Sequence, residues 1–197
     1  MILFLAAFPP ELLALELSLE RDVVGVGLVE AALGAARVIE RRKPTAVVLV
    51  GTAGVYPGKG VSLSIGDVVV AARVLLVAPA GALVSAMPSD IATDVGLARS
   101  AKVRRVTVAT TLAITTDDEV ARTLAATADV EHLEAFAVGR ACQDANVPFT
   151  ALLGIANVVG SRGRAEWREH HVRASAAACA VALSCASRDV RSPTTEQ

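Results

Sequence analysis

The sequence predicts a single α/β domain in which a twisted mixed β-sheet lies between layers of helices, a three-layer architecture. Short β-rich runs alternate along the 197 residues with stretches of helical periodicity. The run AVVLV, at residues 46–50, shows no polar alternation, which is typical of a strand in a sheet covered on both faces. No internal repeat and no low-complexity linker divides the chain. We therefore expect one domain over residues 1–187 and a flexible C-terminal tail at 188–197.

The first half of the chain is expected to contain four strands and one helix. The helix, Leu28–Arg42, is indicated by apolar residues three to four positions apart, by a basic last turn and by Pro44 after it. The predicted apolar residues of this helix are Val29, Ala32, Leu33, Ala36 and Ile39. The predicted strands are Ile2–Ala7, Val23–Val26, Ala46–Val50 and Asp67–Val77.

The second half is expected to contain two strands and three helices. The first of these helices, Asp117–Ala126, has Thr115 or Thr116 as its expected N-cap, because a hydroxyl can accept a hydrogen bond from the first helical turn. The other predicted elements are the strands Val103–Ala109 and Pro148–Ile155 and the helices Leu133–Ala145 and Ala165–Ala186.

Composition and charge exclude several classes of protein. The 19 basic and 20 acidic residues give a net charge of −1, which provides no field to attract nucleic acid or an anionic membrane. A charged fraction of 20% beside 53% hydrophobic residues argues against disorder over most of the chain. The apolar N-terminus lacks a basic segment and is interrupted by Pro9 and Pro10, so we expect neither a signal peptide nor a membrane span.

Cysteine and histidine usage predicts a cytoplasmic protein without a metal site. Cys142, Cys179 and Cys185 are odd in number and contain no C-x-x-C pair, which disfavours both a disulfide framework and a zinc site. The three histidines show no metal-binding spacing. We expect no cofactor.

Two glycine-containing segments follow predicted strands, where α/β sheets commonly bind ligands. Gly25-Val26-Gly27 leads into the first helix, but Glu30 stands where a dinucleotide fingerprint needs a third glycine, and its charge would repel a pyrophosphate. Tight strand-to-helix packing is therefore the favoured explanation. Gly51-Thr52-Ala53-Gly54 follows AVVLV, and its backbone N–H groups suit a ligand crevice, with a plain turn as the alternative.

Two polar segments complete the set of candidate site residues. In VEHLEA, residues 130–135, Glu131 and Glu134 flank His132 near a predicted helix start, where acidic residues often serve only the helix dipole. The strand LGIAN ends in Asn157, and an Asn there more often forms a turn or an N-cap than binds a ligand. Neither segment is diagnostic alone. The order and spacing of all four segments are more informative.

Together these segments resemble the purine nucleoside phosphorylase/nucleosidase superfamily, and the resemblance extends from the N-terminus to about Leu183. The matching motifs are a G-x-G-x-x-x-A helix start, G-[ST]-A-G, I-G-D-x-V-V, an [ML]-E-A helix start and a strand that ends in Asp or Asn. The resemblance implies a nucleoside phosphorylase-like fold in which the nucleoside lies across the carboxyl edge of the sheet.

The resemblance also implies roles for individual residues. Glu11 matches the glutamate that activates water in the nucleosidase branch, and Glu134, in the Leu133-Glu134-Ala135 motif, matches the ribose ligand. A carboxylate accepts two hydroxyl hydrogen bonds and favours positive charge on the sugar. Asn157 matches the residue that meets purine N7. We expect the water to lie near Gly51–Gly54, with Thr52 as a hydrogen-bonding partner, and we expect Thr52, Ala53 and Gly54 to bind the substrate.

Departures from the family pattern point to a hydrolase. Phosphorylases of this superfamily bind phosphate with an arginine two residues before the G-[ST] glycine, and Leu49 stands there. An uncompensated phosphate dianion would be poorly bound in an apolar pocket. Leu153 and Ala156 replace the Arg and Ser that orient the base-binding residue, and no aromatic residue stands where relatives stack the purine. Weak, redirected or lost activity is therefore an alternative.

Asn157 favours a 6-oxopurine over adenine, because a carboxamide donates a hydrogen bond to N7 or O6 but cannot deliver a proton. The futalosine hydrolases show a similar Asn, followed by V-G-x-R and a tryptophan, which resembles Arg162 and Trp167 here. Futalosine carries a benzoate, so Arg162 or Arg164 is a candidate for binding its carboxylate, with two solvated arginines as the alternative. We therefore expect a purine nucleosidase that acts on a futalosine-like small molecule.

The alternative functions are a methylthioadenosine/S-adenosylhomocysteine nucleosidase, a phosphate-dependent phosphorylase, and a non-catalytic nucleoside-binding protein of the same fold. Because oligomers are usual in the superfamily, the resemblance also implies a homodimer or larger assembly. A neighbouring subunit would then complete the pocket wall.

Overall fold

The strands and helices of the protein form one mixed sheet with helices on both sides, as the sequence predicts. The computed structural model describes residues 1–58, 63–77, 89–99 and 102–189. The strands are β1 (Ile2–Ala6), β2 (Arg21–Val23), β3 (Ala46–Val55), β4 (Val68–Leu76), β5 (Asp90–Ala92), β6 (Arg104–Thr110), β7 (Val130–Glu131) and β8 (Phe149–Val158). The α-helices are α1 (Leu28–Arg42), α2 (Asp118–Leu124), α3 (Ala135–Asp144) and α4 (Gly163–Asp189), and 3₁₀ turns cover Pro9–Leu12 and Val95–Ala98.

Strand β3 is the centre of the sheet. It runs parallel to β1 and β8 and antiparallel to β7, and the sheet continues through β6 and β4 to β5. Because β8 also pairs with β4, the strands β3, β8, β4, β6 and β7 close into a ring. The carboxyl ends of the parallel strands β1, β3 and β8 lie at one edge, the usual place for a ligand in such a sheet.

Both faces of the sheet are buried, which explains why its central strands are continuously apolar. In β1, Leu3 and Leu5 pack toward α1 and α3, whereas Phe4 packs toward α4. The same alternation occurs in β3, where Leu49 belongs to the first layer and Val48 to the second. The three-layer prediction is confirmed.

Several predicted boundaries are wrong by a few residues, and three of them affect the site. Strand β3 does not end at residue 50 but continues to Val55 with a bulge at Ala53/Gly54, so the glycine-rich segment is strand and not loop. Strand β8 likewise continues to Val158 and includes Asn157. Glu131 lies in β7, a two-residue strand too short to give a sequence signal, rather than at a helix start.

Two further differences concern the start of elements. Strand β2 is Arg21–Val23, earlier than the predicted Val23–Val26, because the backbone then enters positive φ at Gly25 and Gly27. The N-cap of α2 is Asp117 rather than a threonine, because its side chain accepts hydrogen bonds from two N–H groups of the first turn.

Helix α1 has the predicted bounds, but its buried face differs from the prediction. Val29 and Leu33 have exposed fractions of 67% and 55%. The residues that α1 buries are Ala31, Ala35, Val38 and Ile39. Of the predicted residues, Ile39 is buried, and the alanines of the first turns let the helix approach its neighbours closely.

Helix α4 runs through Asp189, so residues 188–189 of the expected tail continue the helix, and residues 190–197 lie outside the described part of the chain. Among the described residues, no helix combines the length and the apolar character that a membrane span needs.

Candidate active site

A cleft of about 360 Å³ opens at the carboxyl edge of the sheet, a volume within the usual range for small-molecule sites. Its walls come from the segment after β1, from β3, from the junction of β7 and α3, from the end of β8 and from the start of α4. The predicted site residues that line the cleft are Glu11, Thr52, Ala53, Gly54, Leu133, Glu134 and Asn157.

Glu11 lies in the 3₁₀ turn after β1 and is buried against β3. Its Oε1 accepts hydrogen bonds from the N–H of Thr52 at 3.0 Å and from the Thr52 hydroxyl at 3.1 Å. Its Oε2 accepts one hydrogen bond, from the N–H of Ala7 at 3.3 Å. The carboxylate is therefore fixed in orientation, and Oε2 keeps acceptor capacity toward the cleft.

The environment of Glu11 raises its pKa from 4.5 to about 7. Burial is the largest cause, because it disfavours the charged form, and the charge of Glu134 adds to it. The hydrogen bonds from Thr52 and Ala7 act in the opposite direction. A carboxylate with a pKa near 7 is suited to accept and release a proton at neutral pH.

Two positions of β3 need glycine, because side chains of the site lie against the backbone there. A Cβ on Gly51 would lie 3.0 Å from Oε1 of Glu11, and a Cβ on Gly54 would lie 2.8 Å from Nδ2 of Asn157. Larger residues at either position would displace the functional side chain. The glycines therefore allow the carboxylate and the amide to lie directly over the strand.

Glu134 lies just before α3 and is held by two neighbours. Its Oε1 accepts a hydrogen bond from the N–H of Gly27 at 2.8 Å, and its Oε2 lies 3.3 Å from Nδ1 of His132. The same Nδ1 accepts a hydrogen bond from the N–H of Glu134. Nδ1 then carries no proton, so the contact is not an ion pair. Burial lowers the pKa of His132, in agreement with a neutral ring.

Glu131 also lines the cleft, and its carboxylate has internal partners. Oε2 accepts a hydrogen bond from the hydroxyl of Tyr56 at 2.8 Å, and Oε1 accepts one from the N–H of Thr115 at 3.0 Å. The Thr115 hydroxyl donates to Oε2 as well. Burial and the charge of Glu131 raise the pKa of Tyr56, which keeps the phenol protonated as a donor. Glu131 therefore connects β7 to Tyr56 and Thr115 in the wall of the cleft.

Asn157 lies near the end of β8 and is half-buried in the cleft. Its Nδ2 donates to the carbonyl oxygen of Val158 at 3.1 Å, which fixes the plane of the amide. The adjacent N–H of Val158 donates to Glu166 at 2.9 Å, so the end of β8 is tied to α4.

Aromatic rings reach the cleft from segments other than the expected one. Phe8 and Trp167 both line it, and their ring centroids are 6.2 Å apart. Trp167 stacks on His171 with a centroid distance of 4.2 Å and donates from Nε1 to the Thr52 hydroxyl at 3.0 Å. No sequence motif indicates that Phe8 lies here, whereas Trp167, ten residues after Asn157, belongs to the motif resemblance.

The structure does not bring Arg162 into the cleft. Its side chain has an exposed fraction of 81%, lies 3.3 Å from Glu166 and lines a second, smaller cavity. Arg164 and Arg168, one helical turn apart on α4, line the cleft instead. The start of α4 at Gly163 determines which arginines face the cleft, and the sequence did not fix that start. Among the described residues, no cluster of His, Cys, Asp or Glu is arranged to hold a metal ion.

The mixed α/β sheet, with its cleft at the carboxyl edge, has the nucleoside phosphorylase-like fold. Within that fold class, the chain belongs to the phosphorylase superfamily, because the family model matches residues 23–187. No curated protein matches the chain.

Solved structures of nucleosidases share the fold at low sequence identity. The 5′-methylthioadenosine/S-adenosylhomocysteine nucleosidase of Helicobacter pylori is 17% identical with a TM-score of 0.82, over 95% of this chain and 97% of the other. The futalosine hydrolase of the same organism is 16% identical with a TM-score of 0.83, over 95% and 97%. A nucleosidase from Colwellia psychrerythraea in complex with adenine is 23% identical with a TM-score of 0.78, over 95% and 94%.

Proposed function

We propose that the protein hydrolyses the N-ribosidic bond of purine nucleosides. The observation that carries this proposal is Glu11, a buried carboxylate with a pKa near 7 that Thr52 orients toward the cleft. Nucleosidases with the same fold, including one in complex with adenine, support the choice of reaction.

In the proposed mechanism, Glu11 accepts a proton from water as the water oxygen forms a bond to C1′ of the sugar. The C1′–N9 bond breaks, and its electron pair leaves with the purine, which Asn157 stabilises by a hydrogen bond at N7 or O6 and which solvent finally protonates. Glu134 accepts hydrogen bonds from the 2′- and 3′-hydroxyls and favours the positive charge that develops on the sugar. Leu133, Ala53 and Gly54 shape the wall around the sugar.

Water is favoured over phosphate as the acceptor of the ribosyl group, because the hydrogen-bond donors of Thr52 are already bound to Glu11. The N–H and hydroxyl of Thr52 would be natural ligands for an anion at a strand end, but both donate to the Glu11 carboxylate. A phosphate at this point would face a carboxylate. Leu49, at the position of the phosphate-binding arginine, is fully buried in the core.

The experiment is an assay of free base from a panel of nucleosides with and without phosphate. We expect phosphate-independent release that Glu11→Gln reduces by about 10²–10⁴, the usual contribution of a general base, while nucleoside binding persists. Glu40→Gln, on the exposed surface of α1, is the matched control. Phosphate-dependent turnover would instead identify a phosphorylase, and tight binding without base release would identify a non-catalytic nucleoside-binding protein.

We propose a 6-oxopurine as the base, because Asn157 donates a hydrogen bond without supplying a proton. Hypoxanthine should therefore leave an inosine-like substrate faster than adenine leaves methylthioadenosine. Asn157→Asp should reverse this order, since a carboxylic acid can donate a proton to adenine N7. Faster adenine release by the unmodified protein would contradict the assignment and favour a methylthioadenosine nucleosidase.

We propose further that the substrate carries an acidic arm, as futalosine does. Arg164 and Arg168 line the cleft, and within the described ranges neither has an ion-pair partner. Both lie on α4, whereas Glu131 lies in β7 and Glu11 in the 3₁₀ turn after β1. Arg162, the arginine favoured by the motif resemblance, remains a weaker candidate because it pairs with Glu166.

The acidic arm is tested by comparing futalosine with inosine. Arg164→Gln and Arg168→Gln should lower kcat/KM for futalosine and leave that for inosine nearly unchanged, whereas Arg162→Gln should have less effect on either. Arg104→Gln, an exposed arginine on β6, is the control. Equal rates for the two substrates in all variants would exclude the acidic arm.

We also propose a homodimer in the cytoplasm. Val26 and Ile114 line the cleft yet are more than half exposed, and Val29 and Leu33 continue the exposed apolar surface along α1. A second copy of the chain that covers this surface would close the cleft.

The proposed location in the cytoplasm rests on the cysteines. Three free, buried cysteines fit a reducing compartment; cell fractionation tests the location.

The assembly is tested by sedimentation of the purified protein. We expect a dimer that Leu33→Glu converts to a monomer, because a buried unpaired charge is unfavourable in an apolar interface. Leu17→Glu, a leucine with an exposed fraction of 88%, is the control and should leave the dimer intact. A monomeric wild-type protein would contradict the proposal.

A further inference from the structure

Trp167 is the only tryptophan of the chain, and it is connected to Glu11 by two hydrogen bonds in series. Nε1 of Trp167 donates to the Thr52 hydroxyl oxygen at 3.0 Å, and the Thr52 hydroxyl lies 3.1 Å from Oε1 of Glu11. The three residues come from α4, β3 and the 3₁₀ turn after β1. The chain of bonds therefore links a helix on one side of the cleft to the proposed base.

The direction of this hydrogen-bond chain is fixed by chemistry. An indole N–H can only donate, so the Thr52 oxygen is the acceptor in the first bond. The single hydroxyl proton of Thr52 is then free to point at Glu11, whose ionised form can only accept. Without the indole, the hydroxyl could rotate and point its proton at other acceptors. Trp167 thus selects the rotamer of the Thr52 hydroxyl that favours ionised Glu11.

The indole is itself held in place on α4. His171, one turn later, stacks on it with an interplanar angle of 19° and a centroid distance of 4.2 Å. Nδ1 of His171 lies 3.1 Å from the carbonyl oxygen of Trp167, so it is the donor in that contact. Phe8 packs at a tilt of 42° on the cleft side. These contacts fix the position from which Nε1 donates.

We propose that Trp167 is a positioning residue that acts through the Thr52 hydroxyl to keep the proposed general base, Glu11, ionised and oriented. This inference rests on the proposed function for the role of Glu11, but the hydrogen-bond chain can be tested without any turnover.

The other charged and polar groups near Glu11 do not take the place of the hydrogen bonds from Trp167 through Thr52. Glu134 raises the pKa of Glu11, and the thiol of Cys179 donates to the backbone carbonyl of Glu11 at 3.2 Å rather than to its carboxylate. The Arg21 guanidinium, on the other side of the 3₁₀ turn, donates to the backbone carbonyls of that segment. On α4, Arg164 and Arg168 face the cleft together with Trp167.

The test measures the pKa of Glu11 by NMR in protein labelled with ¹³C at the glutamate Cδ, where the Glu11 signal is identified by its absence in Glu11→Gln. In Trp167→Phe, which keeps an aromatic ring against His171, we expect the pKa of Glu11 to rise by about 0.5, about a threefold change in the ratio of protonated to ionised form. Thr52→Val removes the hydroxyl and should raise the pKa further. The double variant should match Thr52→Val alone, since the hydrogen bonds that join Trp167 to the Glu11 carboxylate pass through the Thr52 hydroxyl.

Two controls keep the result specific. Thr52→Ser retains the hydroxyl, so it should keep the pKa near the wild-type value and the sensitivity to Trp167→Phe. His171→Phe removes the imidazole but keeps an aromatic ring stacked on Trp167, and should leave the Glu11 titration unchanged. An unchanged pKa in Trp167→Phe, or a rise of equal size with valine at position 52, would overturn the proposal.

Kinetics separate this inference from the proposed function. If the protein hydrolyses nucleosides, the acid limb of the kcat/KM profile in Trp167→Phe should move to higher pH by the same amount as the NMR titration. Absence of base release by the wild-type protein would end the hydrolase proposal, while the NMR titrations would still decide whether Trp167 acts on Glu11 through Thr52.

Discussion

Glu11 shows how one residue joins stability and chemistry. In the unfolded chain its carboxyl would titrate near 4.5, whereas in the folded protein burial and the charge of Glu134 raise the pKa to about 7. Between these values the folded state holds a proton that the unfolded state has released. Because the folded state binds more protons, rising pH destabilises it over this interval.

We therefore predict that Glu11→Gln stabilises the protein above pH 7. A pKa raised from 4.5 to about 7 corresponds to about 3 kcal/mol of stability lost by the wild-type protein. The gain should diminish as the pH falls through 4.5, because below that value Glu11 becomes protonated in both states. Urea unfolding at pH 8 and pH 4 measures the difference, with Glu40→Gln as the exposed control. A gain that is the same at both pH values would show that burial of the charge is not its cause.

At the scale of elements, the start of α2 shows how a helix boundary is set by a side chain. Asp117 accepts hydrogen bonds from the N–H groups of Glu119 at 2.8 Å and Val120 at 2.9 Å. Thr115, a residue expected to be the cap, donates to Glu131 instead. Asp117 therefore begins the helix, and Thr115, two residues earlier, supports the cleft wall through Glu131.

We predict that Asp117→Ala destabilises the protein by about 1 kcal/mol, the usual loss for an N-cap aspartate. Thr116→Ala is the matched control, because Thr116 is exposed and adjacent. Urea unfolding of both variants measures the difference. Equal losses in the two variants, or a larger loss in Thr116→Ala, would contradict the assignment of the cap.

At the scale of the whole molecule, the reactivity of the three cysteines shows whether the two core layers are folded. Cys142 belongs to the layer of α1 and α3, whereas Cys179 and Cys185 belong to the layer of α4. All three are free and buried, and burial raises the pKa of Cys142 to about 12 and, as the largest cause, that of Cys179 to about 11. Buried, protonated thiols react slowly because the thiolate is the nucleophile.

We predict that a thiol reagent at pH 8 modifies the native protein slowly and modifies all three cysteines at once in urea. If the two layers unfold together, the loss of protection should follow the unfolding transition measured by circular dichroism. Mass spectrometry of partly labelled protein counts the modified thiols. Early labelling of Cys179 and Cys185 with Cys142 still protected would show instead that the α4 layer opens separately.

The fold was largely predictable because its signals are local and repeated. The helix α1 and the strands β1, β4 and β6 appear within a residue or two of their predicted bounds. The two-residue β7 and the three-residue β5 carry no periodicity, and tertiary pairing alone defines them. The buried face of α1 was also beyond prediction, because alanines and larger apolar residues alternate around the helix.

The candidate site was predictable where motifs mark it. Glu11, Glu134 and Asn157 lie far apart in sequence, and the family resemblance placed them in one cleft, where the structure also brings them. Phe8 has no motif, and which arginines face the cleft depends on the first residue of α4. The spacing of residues in the sequence does not predict these positions, because they depend on how the segments pack against one another.

The sequence by itself determined the layered α/β sheet, the family and the candidate polar residues, because hydrophobic periodicity and motif spacing are properties of neighbouring residues. Only the tertiary structure decided that β3 continues under Glu11 without a loop, that Arg162 lies outside the cleft, and that Trp167 donates to Thr52. The first and the last of these facts depend on contacts between segments far apart in the chain, and the position of Arg162 depends on where α4 begins. Burial and hydrogen bonding at such contacts set the chemistry of the side chain.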